Sequence, residues 1–306
     1  MTEQIVGDTE WNGLPMPHRL WAILAVTFGV ALSVLDGTIA NVALPTIAHE
    51  LGVSSANSIW VVNAYQLAIV VSLLSFSTLG DVVGYRRIYI GGLVLFTLSS
   101  LGCVFADSLG MLIAMRVIQG FGGAAVMSIN TSIIRIIYPR DQLGRGMGIN
   151  ATVVAIASVA GPTLAAAILS VASWHWLFAI NIPIGIAAIW LSARFVPHNP
   201  VKLSDRRFDW RDGVMNALTF GLLIASVEGF SHRLDPRIVA CGVAAFCVIA
   251  YFFVRSQLRK PFPLLPFDLL RIPIFSLSVF TSICSFVAQM LAMVALPFFL
   301  QKELGY

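Results

Sequence analysis

The chain has 306 residues, of which 58% are hydrophobic and only 11% are charged, and its mean hydropathy is +0.86. A water-soluble globular domain does not combine these values, so the composition indicates a polytopic membrane protein. The net charge of +4 does not indicate nucleic-acid binding, because the Lys and Arg residues lie between apolar runs and form no groove-sized patch.

The sequence shows no pattern typical of catalysis or of metal binding. Its four cysteines lie inside apolar runs, without a CxxC pair or the spacing of metal ligands. It also contains no nucleophile–base pair and no phosphate-binding loop. We therefore predict that the protein is not an enzyme and needs no cofactor.

Nine apolar windows are long enough to cross a bilayer as helices, which takes about 20 residues each. A membrane barrel would instead show alternating strands of about ten residues, so an all-α bundle is predicted. The predicted spans are 20–43, 57–79, 87–106, 109–135, 146–170, 176–196, 213–231, 236–255 and 274–300.

The first span contains one charged residue, Asp36, which is alone between Leu20 and Ala48. Burying a carboxylate in the bilayer costs about 2.5–3.5 kcal/mol on insertion scales, so such a residue normally serves a proton, ion or cation pathway. A membrane carboxylate binds either a proton or a lipophilic cation, and this is the exchange that an antiporter needs.

The segment from Leu79 to Arg87 predicts a tight cytoplasmic turn between the second and third spans. Gly84 permits the turn, and Asp81 can accept hydrogen bonds from a helix N-terminus or from an arginine. Arg86 and Arg87 hold the loop on the cytoplasmic side. The alternative is an ordinary positive-inside loop.

The fourth span places Arg116, Gln119, Gly120 and Gly123 on one helix face, because they are spaced at i, i+3, i+4 and i+7. The glycines permit close approach of another helix. The guanidinium of Arg116 cannot deprotonate and must find an anion, water or carbonyl partner. The alternative is a side chain that extends to the outer interface.

The fifth and sixth spans each carry a distinctive run. In the fifth, small residues recur every four positions around Gly161, and Pro162 removes a helix hydrogen bond so that the helix can bend; the alternative is a packing seam alone. In the sixth, Trp174 and Trp176 are interpreted as interface anchors. The more distinctive residues of the sixth span are Asn181 and Pro183, which lie close together at the predicted start of a helix.

Other polar residues of the spans either line a cavity or form hydrogen bonds between helices. The cavity-lining candidates are Asn41, Tyr65, Gln66 and Gln119, and Asn63, Asn130, Asn150 and Gln289 leave the same alternatives open. Glu228 is interpreted as an interfacial carboxylate. Aromatic candidates for cation–π attraction are Phe28, Trp60 and Tyr65.

Together these motifs resemble those of the major facilitator superfamily, in its subgroup of drug:proton antiporters with fourteen helices. The run LDGTIANVALP around Asp36 resembles the first-helix signature, and RVIQGFGGA from Arg116 resembles RxxQGxGxA. The cytoplasmic turn resembles GxLxDRxGRR, with Ser77 and Val82 as departures. The fifth span resembles GPxxGG with alanines for both final glycines, and the sixth resembles WRWxFxINxP with His175 for arginine.

The resemblance implies a major facilitator fold and a chain that is truncated at its C-terminus. The implied parts are a cytoplasmic tail (1–19), a six-helix bundle (20–196), a cytoplasmic linker (197–212), an extra hairpin (213–255), a cytoplasmic loop (256–273) and the first helix of a second bundle (274–306).

The implied function is proton-coupled efflux of lipophilic cations, such as quaternary ammonium biocides, methyl viologen and dyes, driven by the proton gradient. Asp36 and Arg116 are the implied coupling residues, and the full-length protein is expected to be a monomer in the bacterial inner membrane. The alternatives are export of another substrate class, such as amino acids, siderophores or lipids, and a truncated product that does not transport.

The distribution of basic residues predicts the orientation. With a cytoplasmic N-terminus, fifteen Lys and Arg residues lie in inside segments and three in outside segments. We expect alkaline phosphatase to be inactive when fused after His198 and active when fused after His232. The opposite pattern of activities would show that the predicted topology is inverted.

Overall fold

The computed structural model describes residues 12–198, 208–231, 235–260, 263–265 and 267–303. Within these ranges all regular structure is helical, and the predicted all-α membrane fold is confirmed. The long helices are α1 (His18–Glu50), α2 (Trp60–Val83), α3 (Tyr85–Val104), α4 (Leu109–Ile137), α5 (Leu143–Leu169), α6 (Asn181–Phe195), α7 (Trp210–Ser231), α8 (Pro236–Gln257) and α9 (Pro273–Glu303). Short helices cover Ser55–Ser58 and His175–Ala179, and 3₁₀ turns cover Arg140–Gln142 and Phe267–Arg271.

The helices differ from the predicted windows mainly in length. At 33 residues α1 is about 50 Å long, whereas the hydrocarbon core is about 30 Å thick. Pro45 lies inside α1 without ending it. The helices α1 to α8 are each long and apolar enough to cross a membrane, counting the short segments that adjoin α2, α5 and α6.

The chain forms two compact units, residues 1–250 and 251–306. In the first unit α1 packs against α4, α5 and α6, and α4 also packs against α2 and α3. The helix α7 packs against α2. The second unit contains the end of α8 and α9. Residues 199–207 of the predicted linker lie outside the described residues, and the predicted part boundaries stay a prediction.

Gly120 lets α4 approach α2 closely. A Cβ at this position would lie 2.6 Å from the Tyr65 carbonyl oxygen and 2.7 Å from the Ala68 Cβ, both on α2. Real Cβ atoms do not come this close to backbone, so no larger residue fits without moving a helix. The predicted close approach at this glycine is confirmed.

A seam of small residues joins α5 to α1. Ala157, Gly161 and Ala165 are all buried, and a Cβ on Gly161 would collide with the side chain of Thr38 on α1. The opposite face of α5 is apolar and exposed, since Val159 has 77% of its surface accessible. Small residues thus hold α5 against the helix that carries Asp36.

Gly120→Ala should lower the free energy of unfolding by about 1–3 kcal/mol, because the added methyl group overpacks the contact between α4 and α2. Gly91→Ala is the matched control, since a Cβ at Gly91 in α3 meets no atom within 4 Å. The control should be neutral or more stable by up to about 1 kcal/mol. Denaturant titration of the purified protein in detergent measures both, and equal stability of the two variants would contradict the packing argument.

Candidate functional site

Asp36 lies near the middle of α1 and is buried, with 2% of its surface exposed. Its Oδ2 accepts a hydrogen bond from Arg116 Nη1 on α4, which makes an ion pair. Its Oδ1 accepts from the Asn181 amide on α6 at 2.7 Å and from the Gln119 amide on α4 at 3.0 Å. Both carboxylate oxygens are therefore satisfied by side chains of two other helices.

The Arg116 side chain is fully buried and points into the bundle, so its extension to the outer interface is excluded. Besides Asp36, its Nη1 contacts the Gln119 Oε1 at 2.6 Å, and its Nε donates to the Val61 carbonyl at 3.0 Å. The guanidinium lies 4.1 Å from the centre of the Tyr65 ring and 5.6 Å from that of Phe178. Carboxylate, carbonyl and aromatic faces offset the buried charge, while Nη2 of Arg116 is buried with no hydrogen-bond partner among the described residues.

Gln119 links the ion pair to α3. Its Nε2 donates to Ser100 Oγ at 2.8 Å, and its Oε1 accepts a weak bond from Cys103 Sγ at 3.9 Å. The sequence prediction assigned neither residue to this site. Gln119 itself has no exposed surface, so it belongs to a buried network and does not line an open cavity.

The other cavity-lining candidates separate into two environments. Tyr65 is 1% exposed, its hydroxyl donates to the Ser33 carbonyl at 3.1 Å, and its ring is covered by the guanidinium of Arg116. It therefore presents no open face to a substrate cation in this arrangement. Asn41 and Gln66 are exposed, and the Asn41 amide donates to the Gly37 carbonyl of its own helix at 2.9 Å.

The cytoplasmic-turn motif lies at the junction of α2 and α3. Gly84 has φ = +112°, a conformation that favours glycine, where the chain passes from α2 to α3; the cytoplasmic location of this turn stays a prediction. Asp81 Oδ1 accepts from the Tyr85 hydroxyl at 2.6 Å. Arg86 donates to the Ala193 carbonyl at the end of α6, and Arg87 is exposed.

The two tryptophans before α6 differ in environment. Trp176 is 61% exposed, as an interface anchor should be. The anchor interpretation is wrong for Trp174, which is fully buried and packs with Leu177 and Phe178 in a hydrophobic cluster. Pro183 sits in the first turn of α6, where a missing N–H costs no helix bond.

Several of the remaining polar residues form hydrogen bonds between helices. The Asn130 amide on α4 donates to Asn150 on α5 at 2.9 Å. The Asn63 amide on α2 donates to Glu228 on α7. The carboxylate that we interpreted from the sequence as lying at the membrane interface therefore has a partner in a neighbouring helix. The side chain of Gln289 lies outside the described residues.

We expect Arg116→Gln to lower the free energy of unfolding by about 3–5 kcal/mol, because it leaves the Asp36 carboxylate buried without its counter-charge. Adding Asp36→Asn should restore part of that loss, because the remaining groups are then neutral. Arg145→Gln, at an exposed position, is the control and should change stability by less than about 0.5 kcal/mol. Unfolding in detergent measures the stability of the unaltered chain, the two single variants and the double variant. A double variant no more stable than Arg116→Gln would argue against a charge pair.

Comparison with known proteins places these helices in a family. The family model described as Major Facilitator Superfamily matches residues 26–306. The uncharacterized transporter YebQ of Escherichia coli K12 is 62% identical over 294 residues, which are 96% of this chain and 64% of that protein. The putative multidrug resistance protein MdtD of Cronobacter sakazakii is 34% identical over 302 residues, covering 96% of this chain and 62% of that protein.

A solved structure supports the same fold. The human organic anion transporter MFSD10 (TETRAN) matches 68% of this chain and 55% of its own, with a TM-score of 0.52 and 17% sequence identity. The chain spans less than two thirds of the length of the two bacterial relatives. Because the family model matches most of its length, the chain belongs to the Major Facilitator Superfamily.

Proposed function

We propose that this chain is part of a proton-coupled antiporter that exports lipophilic cations, such as quaternary ammonium biocides, methyl viologen and dyes. The observation that carries the proposal is the buried ion pair between Asp36 and Arg116. The name of MdtD, a putative multidrug resistance protein, supports the coarser idea of drug export. The motif resemblance supports the fourteen-helix subgroup and the inner membrane, and the distribution of basic residues supports a cytoplasmic N-terminus.

The ion pair supplies a chemical reason for coupling to protons. Arg116 stays charged under all physiological conditions, so a proton can neutralise only the Asp36 side of the pair. A neutral Asp36 would leave the guanidinium buried without a counter-charge, which is unfavourable by several kcal/mol. Proton binding at Asp36 therefore favours a different arrangement of α1 and α4, and a difference between two arrangements is what coupled transport requires.

The burial of Asp36 separates the proton from the exported cation in this arrangement. A proton can reach a buried carboxylate through small openings, whereas a quaternary ammonium compound needs a cavity of its own size. With both carboxylate oxygens occupied by Arg116, Gln119 and Asn181, the cation contacts Asp36 only after the network opens. Proton and cation then alternate.

Asp36→Asn should abolish efflux of cationic dyes while the protein remains inserted in the membrane, and efflux is compared per amount of inserted protein because the variant leaves Arg116 without its counter-charge. The amide keeps the shape of the side chain and removes the proton-binding group. The test protein is a fusion of residues 1–306 to the part of YebQ that they do not match, expressed in an efflux-deficient bacterium. Uncoupler-sensitive ethidium export and resistance to methyl viologen are the readouts.

Asp107→Asn is the matched control, because it removes an exposed carboxylate from the loop between α3 and α4. The control should export like the unaltered fusion. Uncoupler-sensitive export by Asp36→Asn at the control rate would reject Asp36 as the coupling residue. If the active fusion exported only uncharged or anionic compounds, the proposal that lipophilic cations are the substrates would be rejected. The proposal that Asp36 is the coupling residue would still stand.

A further inference from the structure

A pocket of about 400 Å³ lies where α1 and α3 begin and α6 ends. Four basic or titratable side chains line it, namely His18, Arg86, Arg194 and His198. The other described residues that line it are apolar, and no carboxylate is among them. A pocket with this lining has a positive potential and apolar walls.

The two arginines differ in how they are held. Arg86 is positioned by its bond to the Ala193 carbonyl and by its contact with the His198 ring, and its Nε is buried with no partner among the described residues. Arg194 is exposed in the last turn of α6, and the described residues offer it no ion pair. Neither charge is compensated by a carboxylate of the pocket.

Aromatic rings beside the pocket place it at the level of the membrane surface. Trp21 stacks on Phe195, with the ring centroids 5.5 Å apart, and 43% of the Trp21 surface is exposed. Trp190 is 65% exposed and also contacts Phe195. Tryptophan concentrates at the boundary between lipid and water, and the charge distribution predicts this end of the bundle to be cytoplasmic.

We propose that this pocket binds a phosphate-bearing anion, supplied by the headgroup of an anionic phospholipid. A guanidinium presents parallel N–H donors that match two phosphate oxygens, and Arg194 is free to do so. The apolar wall at Phe195 accommodates the glycerol and the start of an acyl chain. Basic pockets between membrane helices on the cytoplasmic side are suited to anionic headgroups. The proposal does not depend on the transported substrate.

Native mass spectrometry of the purified 306-residue chain tests this binding. Phosphatidylglycerol, phosphatidylcholine and inorganic phosphate are titrated separately, and phosphate is also added in competition with phosphatidylglycerol. We expect preferential binding of phosphatidylglycerol over phosphatidylcholine. Arg194→Gln should weaken phosphatidylglycerol binding about fivefold, the factor expected for one basic charge at a membrane surface. Arg194→Glu should weaken it further.

Arg145→Gln and Arg145→Glu are the matched controls, because Arg145 is exposed at the same end of the bundle and does not line the pocket. They should bind phosphatidylglycerol like the unaltered chain. If millimolar phosphate displaces the lipid, the site binds phosphate groups from either a lipid headgroup or a free anion. If phosphate does not displace the lipid, the lipid alone is the ligand. Equal binding by the Arg194 and Arg145 variants, or equal binding of the two lipids, would overturn the proposal.

Discussion

The buried pair of Asp36 and Arg116 is the interaction on which the arrangement of the first unit depends. Removing two charges from water costs several kcal/mol for each ion, and mutual attraction repays this only when further hydrogen bonds complete the shell. Here these hydrogen bonds come from the side chains of Gln119 and Asn181 and the carbonyl of Val61, and among the described residues only Nη2 of Arg116 is left without a partner in this shell. The pair is stable only while these groups remain in place.

The shell requires helices to approach closely, and small residues make this possible. Gly120 follows Gln119 directly and lets α4 contact the α2 backbone at Tyr65, whose ring covers the guanidinium of Arg116. Gly161 brings α5 against Thr38, two residues after Asp36. In a bilayer, helices associate through such close packing and through hydrogen bonds, since lipid and side chain are equally apolar. Packing and charge compensation therefore depend on the same few residues.

The sequence predicts those parts of this arrangement that follow from one helix. The shared face of Arg116, Gln119 and Gly120 comes directly from their spacing on α4. The contact between Asp36 and Asn181 joins residues 145 positions apart, and helix periodicity contains no information about which helices meet. Ser100 gave no signal at all, because a serine in an apolar run looks the same whether it faces lipid or a buried glutamine.

The tryptophans before α6 illustrate an error that comes from the predicted start of the sixth span at residue 176, which left Trp174 outside the helix. Trp174 has helical backbone angles at the start of the short helix His175–Ala179, so it and Trp176 point in directions about 200° apart. The structure buries one and exposes the other. Glu228 is a different case, because its partner Asn63 lies on α2 and becomes visible only when α7 is docked there.

The geometry of the Asp36 site also limits what a proton bound to this carboxylate would do. A proton added to this carboxylate weakens its bonds to Arg116 on α4 and changes those to Asn181 on α6 at the same time, because one group accepts all of them. A single neutralisation thus acts on three helices, α1, α4 and α6, without a separate relay. Since Arg116 keeps its charge, protonation of Asp36 would favour an arrangement in which the guanidinium reaches another anion or water. In the proposed antiporter, that movement would be the step by which a proton opens the network around Asp36.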